Sequence, residues 1–476
     1  MPKFSNYFKI GLNQRQLDFV DVNTDYDTPV YVDPYAIEIR NDLWAENASG
    51  HIRSLFLEVL TVLRAGDDRR ADNLMSHFQE PRETYLGVSR GKPKGRGVGR
   101  VQSSQLIKAI KGSAAFSTGL LSDLSEMSLF VDKMDRDKIS DLTTNIIRFL
   151  LTSYTNEQCE LHGIPTEEYN GPSGWNKDRK NWESRAVKLP HINGEPVLLV
   201  PKYIVRRRLS LDSQEFYNKQ ITDVLVAEHL TANSSLVHTI KGGKEKKVYR
   251  TEVREKHPKS KTMIADLVRK YPDILQTFKD IARNQSMMST ISDDDPSLQN
   301  VCEALIKEIT SISPGRAGAE NYHRAMLGAI TVLFYPSLIQ PHKEWEIHEG
   351  RKRIDIVYTN AADSGFFSHR RDANNTQANL IIVECKNYSD DIGNVEIDQL
   401  YARFDNNRGK FGILTCRSVD NEAALVNRCR DISSRGLGYI IVLTDADICA
   451  MLIAKMNLED GRIEEILNEK FRQLLQ

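Results

Sequence analysis

The sequence predicts an α/β C-terminal third behind an α+β N-terminal region. Three observations lead there. After Pro296, apolar runs of strand length alternate with helix-length stretches, the order that builds a sheet covered by helices. Before about residue 165, one short strand pattern, Thr28-Pro-Val-Tyr-Val32, is mixed with helical stretches. The polar segment Asn284-Gln-Ser-Met-Met-Ser-Thr-Ile-Ser-Asp-Asp-Asp-Pro296 reads as a linker or exposed loop, with Asp295-Pro296 initiating the C-terminal part. The division is therefore 1–165, an α+β region of unknown role; 166–295, a basic middle region and linker; and 296–476, the α/β domain.

In the N-terminal region the clearest helix runs from about Arg136 to Tyr154, where Ile139, Leu142, Ile146, Leu150 and Tyr154 recur at helical spacing, a stripe expected in the core. Asn193-Gly194 marks a two-residue hairpin and leads into the stretch from Val197 to Arg208. In the C-terminal third the pattern gives a helix from about Ala319 to Leu333, then a strand ending near Tyr358 and another through Glu384. A helix from about Val395 to Phe404, the strand Phe411 to Cys416, a helix near Asn421 to Ser434 and the strand Tyr439 to Leu443 complete it.

The most informative segment is Leu380-Ile-Ile-Val-Glu-Cys-Lys-Asn-Tyr388. Residues i and i+2 of a strand share a face, so Glu384 and Lys386 point into the same space while Cys385 turns away and leaves its carbonyl near that spot. An acid-x-Lys triplet alone is weak, since about three are expected by chance in a chain of this length. Asp178-Arg-Lys180 and Glu245-Lys-Lys247 are such decoys, and neither ends an apolar run. Glu384 follows four aliphatics, and a second strand-like segment, Lys352-Arg-Ile-Asp-Ile-Val-Tyr358, places Asp355 among alternating apolar residues 29 positions upstream.

With Asp355, Glu384 and Lys386 in this order of elements, residues 296–452 resemble the PD-(D/E)XK nuclease superfamily, and within it the Mrr-like restriction endonuclease branch. The resemblance implies a restriction-endonuclease-like α/β domain, a central mixed sheet flanked by helices, and nothing about the residues before it. Ile354 stands where the superfamily's name has proline, and Gln399 is followed four positions on by Arg403 rather than by the tyrosine of the RecB-like branch. Both departures favour an Mrr-like or resolvase-like assignment.

Phosphodiester hydrolysis needs a nucleophilic water and a place for charge on phosphorus, and a hard divalent cation supplies both. Magnesium takes oxygen ligands and keeps several waters, so Asp355, Glu384 and the Cys385 carbonyl are the expected ligands, with Mn2+ able to substitute. Lys386 is placed to stabilise the attacking water and the transition state. The competing reading is a salt bridge that closes a sheet end. Two acids repel each other without a cation, so acid variants can gain thermal stability in the metal-free protein.

Further candidates lie around the triad. Glu320 follows Gly315-Arg-Ala-Gly318 at a helix start, where superfamily members carry a glutamate; the alternative is an i,i+4 pair with Arg324. Gln399, on the helix after the catalytic strand, is a candidate phosphate neighbour or an ordinary helix-face amide. Arg351, Lys352 and Arg353 precede Asp355 and could meet the nucleic-acid backbone. So could Arg96 and Arg100 in the glycine-rich run Arg90-Gly-Lys-Pro-Lys-Gly-Arg-Gly-Val-Gly-Arg100, which is not a Walker loop, and Arg206, Arg207 and Arg208. For each basic run the alternative is a solvated surface.

The 476 residues leave room for two or three domains. A formal net charge of −1 excludes bulk charge as a source of DNA binding. Six cysteines form no paired Cys-x-x-Cys knuckle, which argues against structural zinc and a disulfide framework. No apolar run reaches bilayer-spanning length and no signal-peptide core is visible, so a cytoplasmic protein without a membrane role is expected. The expected activity is magnesium-dependent endonucleolytic hydrolysis of DNA by a homodimer or higher homo-oligomer. By the family's habit, it acts as a bacterial restriction or anti-phage defence effector with a protein partner in such a system. The alternatives are a repair or recombination nuclease on branched DNA, and a non-catalytic DNA-binding protein that kept the fold.

Overall fold

The computed structural model describes residues 3–87, 100–240, 245–284, 291, 295–343 and 356–475. In the N-terminal region α1, Leu43–Arg64, starts where the Asp42 carboxylate accepts from the Ala45 amide at 3.0 Å. It buries Ala48, Ile52, Leu55, Val59 and Leu63, a helical stripe. The helix expected over 136–154 is two helices, α2, Arg136–Ile146, and α3, Arg148–His162, separated at Ile147 with φ −94° and ψ 12°. Next to the break, the fully buried Asn145 donates its amide to Gln79 O at 2.6 Å and accepts from Arg148 at 3.0 Å. Side-chain bonds of this kind compete with the helix ladder. The apolar stripe itself is in the core: Ile139, Leu142, Ile146 and Tyr154 are buried and Leu150 is half-buried.

The strand pattern at Thr28–Val32 contracts to Tyr31–Val32, which pairs antiparallel with Val205–Arg206. Just before it the Val30 amide turns back onto Thr28 O at 2.7 Å. Asn193 and Gly194 form the expected turn, with φ of 54° and 82°, between His191–Ile192 and Glu195–Pro196.

The C-terminal part is mixed α/β. Helix α4, Leu298–Ser311, precedes α5, Ala319–Phe334, and the strands are β1, Leu338–Lys343; β2, Ile356–Asn360; β3, Leu380–Lys386; β4, Phe411–Cys416; and β5, Tyr439–Thr444. Between and after them come α6, Asn394–Tyr401; α7, Glu422–Ser434; α8, Asp445–Met456; and α9, Asp460–Arg472. The five strands lie in the order β1-β2-β3-β4-β5; β1, β2 and β3 pair antiparallel, and β3, β4 and β5 pair parallel. Strands β4 and β5 carry no charged residue, as expected for a parallel sheet covered on both faces.

Strand β1 has no counterpart among the expected elements. Gln340 sits at φ 51° and Pro341 comes next, so a bulge interrupts the pairing between Ile339 and His342. Every residue of α5 from Ala325 to Phe334 is buried, because the helix lies between the sheet and the N-terminal region. A Cβ at Gly328 would fall 2.6 Å from the Gln16 side chain and 3.3 Å from Leu12. One hydrophobic cluster runs from Phe4 to Leu474. Among the described residues no helix is long and apolar enough to cross a membrane.

Candidate active site

The alternation of β3 puts Ile382, Glu384 and Lys386 on one face, at the carboxyl end of the central strand. Glu384 is paired across the parallel ladder with Leu414, and Lys386 with Cys416. Both charged residues are buried, with 3% and 5% of their surface exposed. A buried carboxylate needs partners. Among the described residues Glu384 has two, one for each oxygen: Lys386 Nζ contacts Oε1, and Arg403 Nη1 donates to Oε2 at 2.9 Å.

Arg403 stands in the turn just after α6, whose start is tied by the Gly393 amide donating to Glu396 Oε2 at 3.1 Å. Lys386 Nζ also lies 5.8 Å from the centre of the Tyr388 ring. Between the two charged residues, burial pushes the Cys385 thiol up to about 12, so this side chain adds no negative charge at neutral pH. The Glu384 carbonyl accepts from Thr415 Oγ1 at 3.4 Å, a long contact that ties it to β4.

Asp355, the second carboxylate of the expected triad, lies outside the described residues. Its sequence neighbour Ile356 is the antiparallel partner of Val383, the residue before Glu384. Among the described residues no group of three or more His, Cys, Asp or Glu side chains is placed to hold a metal ion. The Glu384 carboxylate and the Cys385 carbonyl are oxygen donors of the kind a hard divalent ion takes. Each Glu384 oxygen keeps a second lone pair beside its contact with Lys386 or Arg403. Among the described residues Glu384 meets positive charge on both oxygens, from Lys386 and from Arg403, while the acid expected to repel it, Asp355, lies outside them.

The remaining candidates are distributed around this point. Gln399 is half-buried on α6, one helical turn before Arg403. Glu320 is exposed in the first turn of α5, and the i,i+4 partner considered for it, Arg324, contacts Glu308 instead at 3.4 Å. The start of α5 is nevertheless fastened to the end of β3. The Asn387 side-chain amide donates to Ser313 O at 2.9 Å and Gly315 O at 2.8 Å, and the Gly315 amide donates back to Asn387 O at 2.6 Å. Gly318 is required there, since a Cβ would fall 2.2 Å from Ser313 O.

The basic candidates fare unevenly. Arg351, Lys352, Arg353 and Arg96 lie outside the described residues, and Arg100 opens the helix Arg100–Lys111 with its side chain outside them. Arg206 is not a phosphate contact: it is 6% exposed, and its Nη1 donates to Tyr203 O at 3.0 Å and Val205 O at 2.8 Å. Arg207 is exposed, with Nη2 donating to Ile291 O at 3.1 Å, and Arg208 is exposed. Arg403 was missed as a site residue. Its only sequence signal was its spacing of four from Gln399, which placed it one helical turn beyond that residue.

Over residues 9–212 the chain is similar to a family described as a domain of unknown function (DUF8370). No curated protein and no solved structure matched the chain. The family match covers the region that packs against the sheet and ends well before the strand that carries Glu384.

Proposed function

We propose that the chain is a metal-dependent DNA endonuclease of the PD-(D/E)XK kind, Mrr-like in its C-terminal domain, acting in the cytoplasm as a restriction or anti-phage defence effector. The observation that carries this reading is the buried Glu384 carboxylate beside Lys386 on one face, at the carboxyl end of the central strand of a mixed sheet. Ligand sites of α/β sheets lie outside the carboxyl ends of their strands. A magnesium ion held by Asp355, Glu384 and the Cys385 carbonyl would supply a water of lowered pKa and polarise the phosphoryl oxygen. Lys386 holds positive charge where negative charge develops in the transition state, and Arg403 fixes the orientation of Glu384 through its bond to Oε2. Cutting both strands of DNA needs two such sites, which a two-fold homodimer provides.

The test is incubation of the full chain with supercoiled, linear and single-stranded DNA, with and without Mg2+. Metal-dependent cleavage that is lost in Asp355→Ala and in Lys386→Ala supports the reading; no cleavage of any substrate, or cleavage unaffected by Asp355→Ala, removes it.

A second reading rests on one specific observation. Both Glu384 oxygens are already engaged by cations, the arrangement of an ion cluster that closes a sheet end in a non-catalytic DNA-binding protein. Calorimetric titration with Mg2+ separates the two, since only the enzyme binds the ion in a way that Glu384→Gln weakens.

A further inference from the structure

The bulge of β1 is held from outside the sheet. Gln340 adopts φ 51°, a left-handed conformation that a non-glycine residue keeps only when its surroundings enforce it. Three groups do so. Its backbone amide donates to Asp18 Oδ1 at 3.0 Å, its side-chain amide donates to the Tyr203 hydroxyl, and its side-chain oxygen accepts from Thr359 Oγ1 of β2 at 3.2 Å. The next carbonyl, Pro341 O, accepts from Gln158 Nε2 at 2.8 Å.

Behind these contacts lies a buried polar network. Asp18 is 2% exposed, and its other oxygen accepts from the Tyr154 hydroxyl at 2.7 Å. Lys202 is fully buried; its backbone amide donates to Asp18 O at 2.8 Å, its Nζ to Arg15 O at 3.1 Å, and it lies 4.2 Å from the centre of the Tyr335 ring. Asp18, Tyr154, Gln158, Lys202 and Tyr203 all belong to the stretch similar to the domain of unknown function, whereas Gln340, Pro341 and Thr359 belong to the sheet.

Such a network favours one geometry through its directional bonds at Asp18, Tyr154, Tyr203 and Gln340, while Gln158 Oε1 has no hydrogen-bond partner among the described residues. The geometry it holds is a register. With the bulge in place Ile339 pairs with Thr359 and His342 with Val357, so one extra residue of β1 is accommodated opposite Tyr358. Loss of the bulge shifts the part of β1 on one side of it by one residue against β2 and turns every side chain of that part to the other face. Strand β2 is in turn the neighbour of β3, with Ile356 opposite Val383.

We propose that the N-terminal region acts as a clamp on the sheet: Asp18 and Gln340 are positioning residues that hold β1 in register against β2, the neighbour of the Glu384 strand. The inference rests on the proposed nuclease reading for its functional consequence and on the buried network alone for its structural one. Neither residue touches substrate; they act through β2. Asp18→Asn keeps an oxygen for the Gln340 amide and a hydrogen-bonding partner for Tyr154, so it is the conservative variant, while Asp18→Leu removes both.

The experiment measures hydrogen exchange of the β2 amides, Mg2+ affinity and steady-state cleavage in the full chain for wild type, Asp18→Asn, Asp18→Leu and Gln340→Val. The expected result is exchange of the β2 amides at least tenfold faster in Asp18→Leu and Gln340→Val, with the rest of the sheet protected. In the same variants Mg2+ affinity and kcat should fall about tenfold while KM for DNA is unchanged, and Asp18→Asn should restore all three. Unchanged β2 exchange in folded Asp18→Leu overturns the clamp, as does faster exchange with wild-type kcat and metal affinity. If Asp18→Leu does not fold, Gln340→Val decides by the same readouts, because a β-branched residue resists the left-handed conformation and lacks both side-chain bonds. If the wild type neither binds Mg2+ nor cleaves, the nuclease reading has failed, and the exchange measurement still decides whether the clamp exists.

Discussion

Arg403 Nη1 donates to Glu384 Oε2 across 2.9 Å, joining the turn after α6 to the carboxyl end of β3 over 19 positions of sequence. Lys386 takes the other oxygen of the same carboxylate. The orientation of the one described acid of the site is therefore set by two cations of different kinds. The lysine comes from the same strand, and the guanidinium reaches over from a separate element.

Arg403 is expected to matter for stability and for turnover. A charge-assisted hydrogen bond to a buried carboxylate contributes about 2 kcal/mol. Arg403→Ala should lower unfolding stability by about that amount in urea melts and reduce kcat by more than it raises KM. Arg403→Lys should recover part of the stability, since a lysine carries the charge without the planar fork. Stability and kcat both at wild-type level in Arg403→Ala would remove the arginine from the site.

Glu384→Ala should destabilise the metal-free protein. Removing the shared partner leaves Lys386, with a side chain 6% exposed, and Arg403, at 13%, facing each other in a poorly solvated place. Breaking a buried ion pair from one side costs about 3 kcal/mol. Thermal melts in EDTA check the sign: a higher Tm for Glu384→Ala than for wild type would mean that repulsion from another acid dominates at this position.

The parts of this arrangement that could be read from sequence are those written in local patterns. The run from Leu380 to Val383 announces a buried strand, Phe411–Cys416 has the expected bounds, and the helix expected over 319–333 spans Ala319–Phe334. What escaped was decided by distant contacts. Strand β1 is disguised by Pro341 and by a left-handed Gln340, which is tolerated because Asp18 and Tyr203 hold it. The continuous apolar stripe of α2 and α3 hides a break beside Asn145, whose side chain is drawn to Gln79. Arg206 reads as part of a surface run of arginines, yet its neighbours' carbonyls turn it inward. Arg403 is invisible for the same reason, since its partner is fixed by how α6 packs and not by its own neighbours.

The acidic cluster around α2 gives the protein a pH signature. Burial first, then Asp137, Glu80 and Asp135, push the Asp141 carboxyl up from 3.8 to about 8. A folded-state value above the unfolded one means that the native protein holds this proton more tightly. The stabilisation is complete below the ordinary carboxylate range and is lost as pH rises toward about 8. Asp141→Asn abolishes that loss, so its Tm advantage over wild type should widen from about pH 5 to about pH 8 and then level. A gap that is constant across the range would mean that Asp141 does not carry the shifted proton.

The arginines 206 to 208 should separate by function. Arg206→Ala removes two buried hydrogen bonds and should cost about 2 kcal/mol of stability while leaving the salt dependence of DNA binding unchanged. Arg208→Ala, at an exposed position, should leave stability alone and flatten the salt slope by about one unit if it meets a phosphate. The same measurement applies to neutralisation of Arg90, Lys92, Lys94 and Arg96 together. An unchanged slope in these variants favours the solvated-surface alternative for these basic residues.

The sheet should not survive well without the N-terminal region. In the described structure β1 is the edge strand, α3 covers it, and Gln158 satisfies Pro341 O at 2.8 Å. A fragment of residues 296–476 loses that cover, together with Asp18 beneath the bulge and the residues Leu12 and Gln16 that pack on α5 at Gly328. An uncovered edge strand with unpaired backbone groups is a template for pairing with other chains. The fragment is therefore expected to self-associate without defined stoichiometry, whereas the full chain is expected to form a discrete homodimer or a multiple of one. Size-exclusion chromatography with light scattering distinguishes the cases: a monomeric, cooperatively unfolding fragment would show that the sheet is self-sufficient, and a monomeric full chain that still makes concerted double-strand breaks would rule out the dimer.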